Sequence, residues 1–121
     1  MEKNIVGTWI LKKFQIKNND GIRDWRSNSH GTLIYTSDGY VSVNINSDFK
    51  NNDEYMDSIL SYSGKYKMTE NKIIHTVTNA SLFERIGKIM ERDYLIDGNI
   101  LTLIGKGDFG EAILQWERVA N

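Results

Sequence analysis

Tyr62-Ser63-Gly64-Lys65-Tyr66 leads through Glu70-Asn71 into Ile73-Ile74-His75-Thr76-Val77. Read as a hairpin with Glu70-Asn71 at its tip, this stretch pairs Met68 with Ile73, Tyr66 with His75 and Gly64 with Val77. Successive side chains on a strand point to opposite faces, so these residues share one face. The other face carries Lys65, Lys67, Ile74, Thr76 and Thr78 and is mostly polar. The pattern is that of an antiparallel sheet with one wet and one buried side. One of only two histidines in the chain falls on the buried side, opposite a tyrosine. An inward polar pair in an otherwise apolar wall implies a cavity with a ligand in it.

Similar segments lie on both sides of this hairpin. Proline is absent, so turns rest on Gly, Asn and Asp. Asn19-Asp20-Gly21, Ser37-Asp38-Gly39 and Asp97-Gly98-Asn99 each separate β-rich runs, which marks hairpins. Strands are predicted over 5–17, 21–27, 30–37, 40–46, 61–69, 72–79, 88–96, 100–105 and 112–119. Their spacing predicts an all-β fold, an antiparallel up-and-down meander closing into a barrel of about eight to ten strands. One short helix is expected over 52–60, with Asp53 as N-cap and Tyr55, Met56, Ile59 and Leu60 as its apolar stripe. It would act as a lid or a plug across a barrel end. A short turn is expected over 81–86. No repeat or linker divides the chain, and its 121 residues suffice for one domain with a single core.

The same alternation extends the inward set. On the seventh strand Met90, Arg92, Tyr94 and Ile96 oppose Ile89, Glu91, Asp93 and Leu95. A turn at Asp97-Gly98 or Gly98-Asn99 puts Leu101 and Leu103 on the face of Arg92 and Tyr94. On the last strand Leu114, Trp116 and Arg118 share a face. A two-residue turn at Asp38-Gly39 pairs Tyr35 with Ser42 and Leu33 with Asn44. The other face there, Ile34, Val41, Val43 and Ile45, is also apolar, and a one-residue slip would exchange the two. If that set lies outside, it is a surface for a homodimer.

Composition excludes several classes. The 15 basic and 16 acidic residues leave no cationic surplus for phosphate contacts, which argues against nucleic acid as a partner. Absence of cysteine removes disulfides, thiolate metal sites and thiol nucleophiles. No apolar run reaches membrane-spanning length. Met1-Glu2-Lys3-Asn4 meets an apolar strand without a secretory segment, so a cytoplasmic protein is expected. His30 and His75 lie on separate strands with no inward carboxylate near, a poor metal site, and no cofactor is expected. Gly105-Lys106-Gly107-Asp108-Phe109-Gly110 resembles a phosphate loop only superficially, because it joins two strands.

Several of these pieces match one family in order along the chain. Gly7-Thr8-Trp9 resembles the G-x-W that opens lipocalin barrels. The chain is similar to bacterial lipocalin-like domain proteins in Ile5-Val6-Gly7-Thr8-Trp9 and in the run from Leu33 to Ser42. Further matches are Tyr62–Tyr66, His75 with Val77, Ser81, Arg92 with Tyr94, Leu101-Thr102-Leu103 and Trp116-Glu117-Arg118. The family pattern carries proline at the place of Glu84, and this chain departs from it there. The resemblance implies a lipocalin-like barrel around a site for a small apolar or amphipathic molecule. It also implies that Trp9, stacked against Arg118, plugs one end, so both fall outside the ligand site.

Tyr35, Ser42, Tyr66, His75, Arg92, Tyr94, Leu103 and Trp116 are therefore the candidate ligand-binding residues. Imidazole and phenol groups supply donors and acceptors, and arginine supplies a fixed cation for a carboxylate or enolate oxygen. The expected function is binding of a small hydrophobic or amphipathic molecule inside the barrel. The alternative is a cofactor-free cyclase or isomerase acting on a polyketide-like carbonyl compound. There His75 would be the general base, with Arg92 or Tyr66 stabilising an oxyanion. No inward carboxylate orients the imidazole, because Glu91 and Asp93 fall on the outer face.

Overall fold

A computed structural model describes residues 5–25, 28–47, 59–107 and 110–119. Nine antiparallel strands form one sheet: β1 (Gly7–Asn18), β2 (Gly21–Asp24), β3 (His30–Tyr35), β4 (Tyr40–Asn46), β5 (Ile59–Met68), β6 (Lys72–Ala80), β7 (Ile89–Asp97), β8 (Ile100–Gly107) and β9 (Gly110–Arg118). The strands from β3 to β9 pair in chain order, and β1 pairs with both β3 and β9. Eight strands thus close a barrel without free edges, and β2 is an extra strand beside the second half of β1. A 3-10 turn, Phe83–Arg85, follows β6 where a short turn was expected.

Tight turns fix the register that positions the interior. Asp97 pairs with Ile100 across Gly98-Asn99, which sets Tyr94 opposite Leu103 and Ile96 opposite Leu101. Thr69 and Lys72 flank Glu70-Asn71, so Tyr66 pairs with His75 and Met68 with Ile73, as the hairpin pattern predicts. The last two strands also pair as a hairpin, with Gly107 opposite Gly110, in line with the rejected phosphate loop.

The β3–β4 register differs from the expectation by one residue. Its loop is three residues, Ser37-Asp38-Gly39, not two, because the backbone N–H of Thr36 bonds the Tyr40 carbonyl at 2.9 Å. Gly39 adopts φ +97°, the left-handed position such a loop needs. Thr36 Oγ1 accepts the Tyr40 N–H and donates to Asp38, holding the loop. Tyr35 therefore pairs with Val41, and Ile34 with Ser42. Val41, Val43 and Ile45 enter the core, while Ile34 is exposed and Ser42 shares its outward face. The face on which a homodimer was conditional is thus mostly interior.

The expected helix over 52–60 also requires correction at its end: Ile59 and Leu60 begin β5 and pair with Asn46 and Ile45. The rest of that segment lies outside the described residues. A bulge between Leu11 and Lys13 resets the alternation of β1, so Trp9 and Leu11, then Phe14 and Ile16, all face inward. Each large side chain buried this way contributes about 1.5–3 kcal/mol. The core is continuous around the barrel, from Trp9, Leu33 and Ile73 to Leu101 and Trp116.

Candidate functional site

One end of the barrel is filled. The guanidinium of Arg118 lies 4.2 Å from the Trp9 ring centroid and donates to the Val6 carbonyl at 2.8 Å. The Trp9 indole N–H donates to Ile5 at 3.0 Å. Strand β1 carries Trp9 at this end and Phe14 and Ile16 toward the other, where the barrel encloses a cavity of about 370 Å³. Its wall is largely apolar, with Leu33, Val43, Ile45, Leu103 and Leu114 among its residues. Trp25, beyond β2, stacks on Phe14 with centroids 4.6 Å apart, and both line the cavity.

His75 stands between the filled half and the cavity. It is 1% exposed, and each ring nitrogen meets a tyrosine hydroxyl at 2.7 Å, Nε2 that of Tyr35 and Nδ1 that of Tyr62. Burial, and then the positive charge of Arg92, pull its pKa down to about 3, so the imidazole is neutral. Burial likewise raises Tyr35 and Tyr62 above the ordinary phenol value, opposed at Tyr62 by the neighbouring Arg92 guanidinium. Both phenols therefore keep their protons.

Arg92 is set by its backbone surroundings. Its Nη1 donates to the Glu91 carbonyl at 3.0 Å. Strand β8 offers Gly105 beneath it, where a Cβ would stand only 3.1 Å from the Arg92 Cζ. A side chain at 105 would occupy the space that the guanidinium uses. Arg23 and Arg85 also line the cavity, and no Asp or Glu does so among the described residues. Asp93 points away, bonded by Lys72 at 2.7 Å.

Of the residues expected from sequence, His75, Arg92, Leu103 and Trp116 line this cavity. Tyr35 lies behind His75 as its hydrogen-bond partner. Tyr66 is opposite His75 in the ladder, but its hydroxyl donates to the Thr36 carbonyl at 2.8 Å, and its ring packs edge-on against Tyr35. The Tyr94 hydroxyl reaches the Glu70 carbonyl at 3.4 Å. Both phenols sit toward the filled end, away from the lining. Ser42 is on the outer face, turned there by the three-residue loop.

Sequence reasoning missed Tyr62, although alternation along β5 from Met68, Tyr66 and Gly64 leads straight to it. The phase reset in β1 concealed Phe14 and Ile16. Their signal was the Lys12-Lys13 pair, which cannot both alternate with Leu11 and Phe14. Arg23, Trp25 and Arg85 lie in or beside elements of only three or four residues, too short for periodicity to give a facing.

A lipocalin-like domain model matches residues 6–119. No curated protein matches the chain. Among solved structures, a redesigned β-barrel is similar at a TM-score of 0.51 and 14% identity, covering 98% of this chain and 94% of that one. At that identity the likeness concerns the fold alone. No helix among the described residues is long and apolar enough to cross a membrane. With the family match spanning the eight strands of the closed barrel and the extra strand β2, the chain belongs to the lipocalin-like domain family.

Proposed function

We propose that this barrel is a cytoplasmic binding protein holding one small hydrophobic or amphipathic molecule in the cavity beyond His75. The observation that carries this reading is the cavity itself, about 370 Å³, apolar in most of its wall and provided with a few placed polar groups. That size and lining are typical of small-molecule sites. The state of His75 favours binding over proton abstraction. A general base near neutral pH needs a pKa near the working pH and a free nitrogen. His75 is held at about 3 and has both nitrogens engaged by tyrosines.

Trp25 and Trp116 both line the cavity, so their fluorescence is a built-in reporter. Titration with the neutral solvatochromic dye Nile red should change tryptophan emission saturably, with one site per chain. A linear, non-saturating response would rule the reading out.

A further inference from the structure

The polar groups around the cavity are nearly all hydrogen-bond donors, and the hydrogen positions follow from burial. Tyr35 is 1% exposed, and among the described residues its hydroxyl has a single partner, His75 Nε2. If Nε2 carried the imidazole proton, the Tyr35 hydrogen would be buried without an acceptor, at a cost of about 1–3 kcal/mol. Tyr35 therefore donates to Nε2, and the proton of the neutral ring resides on Nδ1. Nδ1–H then donates to the Tyr62 oxygen 2.7 Å away. With that oxygen already accepting from His75, the Tyr62 hydrogen is free to turn toward the cavity that Tyr62 lines. The order of donation thus runs from Tyr35 through His75 to Tyr62 and ends on the cavity side.

Two further donors belong to the same wall. The Arg92 guanidinium lies beside the Tyr62 hydroxyl, propped over Gly105. Trp116, 1% exposed and part of the lining, has an indole N–H with no hydrogen-bond partner among the described residues. Native proteins rarely leave a buried donor unmatched. Arg23 and Arg85 add positive charge, and among the described residues no carboxylate lines the cavity to neutralise it.

We infer that the cavity selects an organic anion, an apolar tail bearing a carboxylate whose oxygens accept from Tyr62, Arg92 and Trp116. This rests on the binding reading above and names its ligand class. A carboxylate only accepts, so it satisfies every donor without opposing one. An alcohol brings one donor of its own, and an ammonium head brings donors only and meets the arginine charge.

The test is a head-group series on one tail near neutral pH: decanoate, decanol and decylamine, each displacing Nile red. Decanoate should bind about tenfold or more tighter than decanol, the scale of one hydrogen bond to a charged group, with decylamine weakest. Tyr62→Phe, Arg92→Gln and Trp116→Phe should each narrow that preference by weakening decanoate more than decanol. Retained decanol binding shows that a variant is folded, and the wild-type series stands if one is not. Equal affinities, or preference for the alcohol or amine, overturn the anion assignment and leave the binding reading intact. A carboxylate preference that none of the three substitutions alters overturns the assignment to these residues. Failure of Nile red and all three amphiphiles to bind overturns both.

Discussion

The Nδ1 atom of His75 lies 2.7 Å from the hydroxyl of Tyr62, which ties the histidine to the wall of the cavity without exposing it. The consequence is a buried imidazole that stays neutral far below its ordinary range, because burial and then the Arg92 charge oppose protonation.

Acid stability should report this directly. In the unfolded chain His75 gains a proton as the pH falls through 6.5, whereas in the folded chain it does so only near 3. Between those values the unfolded state binds more protons, so stability falls as the pH falls. The slope is up to about 1.4 kcal/mol per pH unit. Above 6.5 neither state is protonated and His75 contributes no slope. Asp93, held below its ordinary value chiefly by the Lys72 hydrogen bond, also loses its contribution in acid, but equally in any His75 variant. Urea unfolding of the wild type and His75→Gln between about pH 7 and about pH 4.5 should give curves that converge on acidification. Parallel curves would show that His75 titrates normally.

Gly105→Ala tests how Arg92 is placed. The new methyl would stand 3.1 Å from Arg92 Cζ, closer than relaxed packing allows, and the flexible arginine is the part that can move. Decanoate affinity should drop about tenfold, as expected for one displaced charged donor. Decanol affinity should stay unchanged, and the melting temperature should move by only a few degrees, about the effect of 1 kcal/mol. Equal weakening toward both ligands in calorimetric titrations would mean that Gly105 shapes the cavity instead of the guanidinium.

Arg118→Ala addresses the filled end. It removes the stack on Trp9 and the bond to the Val6 carbonyl. The loss should be about 2 kcal/mol in unfolding free energy, combining a partly buried cation–π contact with a charged hydrogen bond. Nile red affinity should be unaffected, since neither Trp9 nor Arg118 lines the cavity. A large change in dye binding with little loss of stability would place the functional opening at this end.

The barrel was largely legible because its hairpins carry strong turn chemistry. Glu70-Asn71 and Gly98-Asn99 are two-residue turns between clearly alternating strands, so the facing of His75, Arg92 and Leu103 follows from counting. Counting failed where a loop or bulge adds a residue. Gly39 lengthens the β3–β4 loop by one and turns Ser42 outward, and both faces of β4 offered apolar side chains to mislead the reading. The same effect at Lys12 hid Phe14. The roles of Tyr66 and Tyr94 were illegible for a different reason. Facing tells which side of a sheet a phenol occupies, but not whether its hydroxyl finds a backbone carbonyl first, as these do at Thr36 and Glu70.

The interior beyond His75 is the proposed ligand site, and NMR mapping with decanoate tests it most directly. Saturable one-to-one shifts should appear at the Trp116 and Trp25 indoles, the Met90 methyl and the Tyr62 ring, all of which line the cavity. The Tyr66 and Tyr94 rings and the Trp9 indole should remain unmoved. Shifts confined to the exposed apolar residues Leu82, Phe83 and Ile86, or no saturable shifts in the interior set, would contradict the account.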